Sequence, residues 1–179
     1  MRSAEAGERD VWAVDPLDGS VNYLRGYPHC AVSIALLRDG APVLGVVDCF
    51  ALGEQFTGIV GEGAWLNGKP MRVSTISNPK SGILHTGIPA RAGPESMAKF
   101  EARLAAWQKV RMIGSAATAL ACVAAGRAEA YRESGSMIWD VAAGCALVKA
   151  AGGAFEIGGA RLDAPLEVVA GNGKAPFPE

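Results

Sequence analysis

Short apolar runs separated by Gly, Pro and Asp dominate the first half of the chain. Val11-Trp12-Ala13-Val14 is the first run and stops at Asp15-Pro16. Cys30 to Leu37 is rich in Val, Ile and Leu and ends at Arg38-Asp39-Gly40. Asp-Gly is a strong hairpin pair, because both central residues of that turn take positive φ. Pro42 to Phe50 then reads as the returning strand. Gln55 to Val60 is another, closed by Gly61-Glu62-Gly63. These runs are mostly continuous rather than alternating, which is the pattern of a sheet covered on both faces.

The period then changes. Met97, Phe100, Leu104 and Trp107 recur at helical spacing within Pro94 to Gln108, with a Pro near the start. Val110 to Ile113 predicts a strand. Ser115 to Ala125 is nearly apolar all round and predicts a buried helix after Gly114. Ala128 to Arg132 is a strand, and Ile138 to Ala151 is a second buried helix closed by Gly152-Gly153. Glu167 to Ala170 is a last short strand. Strands with helices between them predict a layered α+β architecture. With no repeat, charge block or low-complexity tract, residues 1–179 read as one domain, its weakest seam at 87–96.

Composition narrows the function classes. Of 179 residues, 50% are hydrophobic and 20% charged, which supports a core and excludes disorder. Lys+Arg 17 against Asp+Glu 18 leaves no basic excess, so no nucleic-acid partner is expected. The longest apolar stretches, such as 115–125, fall short of the ~20 residues that span a bilayer, and no export signal opens the chain. A cytoplasmic protein without a membrane partner is expected. Cys30, Cys49, Cys122 and Cys145 form no CxxC pair and sit among apolar neighbours, as reduced buried cysteines do.

The densest chemical signal is Asp15-Pro16-Leu17-Asp18-Gly19-Ser20. Two carboxylates and the carbonyl of Leu17 offer hard oxygen ligands suited to Mg²⁺ rather than zinc. Gly19 and Ser20 supply backbone N–H groups, and a helix starting there aims its positive end at an anion. The competing reading is a turn with an Asp cap. Asp140, in the first turn of an apolar helix, is either a cap or faces a cation. Gly114-Ser115 is a helix entry or an anion contact. Glu133, before Ser134-Gly135-Ser136, is a loop carboxylate, either solvated or ligand-binding. His29 and His85 are isolated and in no metal-spaced pair, and His29, beside Pro28, reads as structural. No nucleophile elbow, GxGxxG or phosphate-binding GxxxxGK[ST] occurs.

Together these segments resemble the inositol monophosphatase family of Mg²⁺-dependent, lithium-sensitive sugar-phosphate phosphatases. Trp12 to Tyr23 is similar to the family's first signature, and Trp139 to Gly144 followed by Ala151-Gly152-Gly153 to its second. Ala31 to Ala35, Gly63 to Gly68 and Gly114 to Ala117 are similar to intervening segments, in the family's order.

The resemblance implies an αβαβα sandwich and hydrolysis of inositol monophosphate or a related small sugar phosphate by a metal-activated water. It implies that Asp15, the Leu17 carbonyl, Asp18 and Asp140 hold two or three Mg²⁺ ions. Gly19 and Ser20 bind phosphate oxygens, and the Ser20 hydroxyl positions the attacking water. Gly114, Ser115 and Ala116 line the sugar site, and Glu133 contacts a sugar hydroxyl. Asp15, Asp18, Ser20 and Asp140 are then the catalytic set. Met137 stands where some members have His. The expected partner is a small phosphorylated sugar or cyclitol, with a homodimer allowed.

Family members carry roughly seventy to eighty residues before the first signature, including two helices and a Gly-Glu-Glu metal ligand. Here fourteen residues precede Asp15, and neither Glu5 nor Glu8 matches that motif. The expectation is a member lacking its N-terminal portion, with apolar sheet surface left exposed. The rival reading is a degenerate, non-catalytic relative with residual metal or phosphate binding.

Overall fold

The computed structural model describes residues 10–88, 93–159 and 163–178. Its first sheet is an antiparallel meander of β1 (Asp10–Asp18), β2 (Ala31–Arg38), β3 (Ala41–Cys49), β4 (Glu54–Ile59), β5 (Gly63–Leu66) and β6 (Lys69–Pro70), in that order. Arg38 pairs with Ala41 across Asp39 and Gly40, whose φ values of 49° and 80° make the two-residue hairpin that Asp-Gly favours. A short helix, α1 (Ser20–Leu24), follows β1.

The second sheet begins at β7 (Ile83–Thr86). Helix α2 (Pro94–Ala106), strand β8 (Lys109–Arg111), helix α3 (Ala116–Ala124), strand β9 (Ala130–Ser136), helix α4 (Ile138–Ala150), β10 (Ala154–Gly158) and β11 (Leu166–Gly171) complete it. The strand order is β10-β11-β9-β7-β8, with β7 parallel to both β8 and β9. The 87–96 seam therefore falls on the β7–α2 connection inside this sheet, and residues 89–92 lie outside the described residues.

Helices α3 and α4 lie between the two sheets, and α2 packs on β8 at the far side. This is the layered arrangement expected. Both central helices are apolar all round because both their faces are buried. Close approach depends on glycine. A Cβ at Gly45 of β3 would lie 2.2 Å from the Ala143 carbonyl oxygen, and one at Gly144 of α4 would lie 2.3 Å from the Leu120 Cβ.

One expectation needs correction. Continuous apolar runs predict a first sheet covered on both faces, yet only the face carrying Ala13, Ala35 and Val47 is buried. On the other face Trp12 pairs with Leu36 and Val14 with Ile34; Leu36 and Ile34 in turn pair with Leu44 and Val46. Trp12 is 60% exposed. The exposed apolar surface implied by the family resemblance is present there. In α2 no residue is buried, and Met97 and Leu104 face solvent; only Trp107, just past the helix, enters a core. Among the described residues no helix is long and apolar enough to cross a membrane. All four cysteines are free, and Cys122 alone is only half-buried.

Candidate metal and phosphate site

Strand β1 does not stop at Pro16 but runs on to Asp18. Asp15 pairs with Ser33 and Asp18 with Ala31, so β1 holds one more residue than β2 over that interval. This bulge decides the site. In a regular strand residues three apart point to opposite faces; one extra residue brings Asp15 and Asp18 to the same face. Pro16, lacking an N–H, sits in the bulge where no ladder bond is needed. The Leu17 N–H donates to Asp15 Oδ1 at 2.9 Å and fixes that carboxylate.

Asp140 arrives from the helix layer. Ser33, opposite Asp15, is buried, and its hydroxyl donates to the Trp139 carbonyl at 3.0 Å. That bond ties the first turn of α4 to the strand beside Asp15. Asp140 Oδ2 also accepts the Met137 N–H at 2.8 Å. The cap reading of Asp140 holds, and the same carboxylate lies beside Asp15 and Asp18. Ligand oxygens of Asp15, Asp18 and Asp140 all lie within 4.8 Å of one another.

Helix α3 secures the third carboxylate. Asp18 Oδ2 accepts the Ser115 hydroxyl at 2.5 Å and the Ala117 N–H at 2.8 Å. Ser115 Oγ in turn caps α3 by accepting the Thr118 N–H at 3.2 Å. Burial pushes Asp18 up to about 6; the Ser115 and Ala117 bonds pull against it, and Asp140 and Asp15 push further. Asp140 is raised too, first by burial, with the Met137 bond opposing and Asp15 adding to the rise. Clustered carboxylates that raise one another's pKa fit a hard divalent cation, which removes the repulsion.

The remaining expected residues surround this corner. Gly19 has φ 77°, and a Cβ there would lie 2.7 Å from the His29 carbonyl oxygen. Ser20 is exposed and opens α1, which is only five residues long. Gly114, with φ 74°, precedes Ser115, and Ala116 is the first residue of α3. Glu133 is not on a loop: β9 continues to Ser136 because β11 pairs with it along that length. Burial raises Glu133, the Tyr131 hydroxyl bond opposes this, and Asp140 adds to it. His85 is buried, and desolvation pulls it down to about 4, so it stays neutral.

The sequence pattern did not single out Asn22 or Tyr131 as functional. The Asn22 side chain donates to the carbonyls of His29 and Ile113, both at 2.7 Å, and so joins α1 to the Gly114 loop. Tyr131 donates to Glu133 Oε2 at 2.8 Å. Alternation along β9 was the available signal, since residues two apart share a face.

A family model described as the inositol monophosphatase family matches residues 2–172. The chain belongs to that family. It is 43% identical over 152 residues to a Xylella fastidiosa protein named Nus factor SuhB, covering 83% of this chain and 55% of that protein. It is 41% identical over 157 residues to an inositol-1-monophosphatase of Mesorhizobium japonicum, covering 85% of this chain and 59% of that one. Among solved structures, the inositol monophosphatase of Anabaena superposes with a TM-score of 0.85 at 39% identity, over 94% of this chain and 70% of that one. The chain thus spans a little over half the length of these curated relatives.

Proposed function

We propose that this protein is a Mg²⁺-dependent phosphomonoesterase that hydrolyses inositol monophosphate or a related small sugar phosphate. One observation carries the reading: three aspartates from β1 and α4, far apart in sequence, meet within 4.8 Å beside the N-terminus of α3. The inositol-1-monophosphatase relative supports the substrate class.

Asp15, Asp18, Asp140 and the Leu17 carbonyl are the residues to hold two or three magnesium ions. When bound, magnesium supplies Lewis acidity to the phosphate and its attacking water, and screens their negative charge. The chain's own residues do the positioning. Asp18 is oriented by Ser115 and Ala117, and Asp140 by Met137. The amides of Gly19 and Ser20 face the phosphate oxygens, and the Ser20 hydroxyl orients the attacking water. Gly114 and Ala116 wall the sugar, while Ser115 is committed to Asp18 and acts through it. Glu133 accepts a hydroxyl of the leaving alcohol. Lithium sensitivity, a cytoplasmic setting and pairing with a second copy belong to the same proposal.

A second reading, a binding module without turnover, is favoured by the relative named Nus factor SuhB. The test is phosphate release from myo-inositol 1-phosphate across a magnesium series. Release that Asp15→Asn abolishes supports the enzyme. No release at any magnesium concentration, with cation binding intact, supports the module.

A further inference from the structure

The Glu133 carboxylate is held from two sides. On one side Tyr131, two residues earlier on the same face of β9, donates its hydroxyl to Glu133 Oε2 at 2.8 Å. Tyr131 is only 1% exposed, so this bond is shielded from water. Burial keeps the phenol protonated, with Glu133 adding to the rise, so the hydroxyl can only donate to the carboxylate. On the other side lies Gly87, one residue beyond β7. A Cβ there would sit 2.2 Å from Glu133 Oε1, 2.3 Å from Cδ and 2.6 Å from Oε2. Any other residue would occupy the space the carboxylate fills. The two strands are locked in register at this point, since Thr86 pairs with Arg132 and the Thr86 hydroxyl donates to the Arg132 carbonyl at 2.6 Å.

We propose that Tyr131 and Gly87 are positioning residues that set how tightly the site recognises the alcohol part of its substrate. Tyr131 holds Oε2, and the missing side chain at Gly87 leaves Oε1 the room it occupies, from which it accepts a polyol hydroxyl. A carboxylate fixed by a buried donor and a backbone shelf loses little rotamer freedom when the polyol arrives. This lowers the cost of selective binding. The proposal rests on the reading of Glu133 as the contact for the leaving alcohol. It concerns selectivity between alcohols, and leaves binding of the phosphate group to the aspartate corner.

The experiment measures binding of the methylene phosphonate analogue of myo-inositol 1-phosphate, which has no ester bond to hydrolyse, and of inorganic phosphate to the full chain with magnesium, by calorimetry. The wild type, Glu133→Gln, Tyr131→Phe and Gly87→Ala are compared, with melting followed by circular dichroism. Tyr131→Phe removes one oxygen and keeps the ring packed; Gly87→Ala displaces the carboxylate while leaving Tyr131 intact. Each is expected to weaken binding of the phosphonate analogue about tenfold, as Glu133→Gln does, with inorganic phosphate unchanged within twofold. Equal weakening of both ligands marks a merely structural role and overturns the proposal. So does full selectivity in Tyr131→Phe and Gly87→Ala when Glu133→Gln has lost it, a result that leaves the proposed function standing. A wild-type chain that binds neither ligand with magnesium overturns the proposed function, and this inference with it.

Discussion

The Ser115 hydroxyl donates to Asp18 Oδ2 at 2.5 Å across 97 residues of sequence. That contact joins the end of β1 to the start of α3, and the same serine caps the helix. Ser115→Ala removes a cap and a hydrogen bond to a charged acceptor together. A loss of about 1–3 kcal/mol in urea unfolding is expected, with Ser115→Thr recovering most of it. An unchanged midpoint in the alanine variant would contradict the geometry.

Stability should depend on pH through Asp18. Its pKa rises from 3.8 to about 6 on folding, so the folded chain holds this proton more tightly than the unfolded chain. The contribution is fully present below pH 3.8 and is lost as pH rises through about 6. Ionising Asp18 without a cation costs up to ~3 kcal/mol, at about 1.36 kcal/mol for each tenfold change in proton affinity. Asp18→Asn keeps an oxygen to accept from Ser115 and Ala117. It should raise metal-free stability at pH 8 while abolishing the stabilisation that magnesium gives the wild type. Urea unfolding at pH 5 and pH 8, with and without magnesium, checks both statements.

Gly144 of α4 is packed against Leu120 of α3 with no room for a methyl group. Gly144→Ala forces apart the two helices that carry Asp140 and Ser115. Overpacking of this kind costs ~1–3 kcal/mol. Thermal unfolding should show it, and Gly93→Ala, where a Cβ has open space and φ is −80°, serves as the contrast.

The open face of the first sheet should drive association. Trp12, Val14, Ile34, Leu36, Leu44 and Val46 form a connected apolar stripe by strand register. Contiguous apolar surface of this kind marks an interface or an aggregation hazard. Sedimentation is expected to show self-association that the pair Trp12→Gln and Val14→Thr weakens at least tenfold. A monomer at all concentrations would contradict it.

Much of this molecule was legible in the sequence. Every strand and helix that a run of Val, Ile, Leu or Ala predicted exists; α3 and α4, buried between the two sheets, are the most uniformly apolar. The short elements were not read. Asn67-Gly68, with φ values of 48° and 75°, repeats the chemistry of Asp39-Gly40, but the strands it joins hold four and two residues. Strands β7 and β10 offer too few apolar residues in a row. The helical spacing of Met97, Phe100 and Leu104 marked α2 as a helix, which the fold leaves unburied. The aspartates were legible as residue types. Their convergence was implied by the family resemblance, while the β1 bulge and the Ser33–Trp139 bond that produce it were not legible. Glu133 was found, while its supports Tyr131 and Gly87 emerge only once β7 and β9 are paired.

The central claim is that Asp15, Asp18 and Asp140 together hold divalent cations. Calorimetric titration of the full chain with Mg²⁺, beside Asp15→Asn, Asp18→Asn and Asp140→Asn, measures it. Saturable binding in the wild type, weakened at least tenfold by each single substitution, is the expected result. Binding that survives unchanged when Asp140 is replaced would contradict the account, because α4 would then have no part in the site.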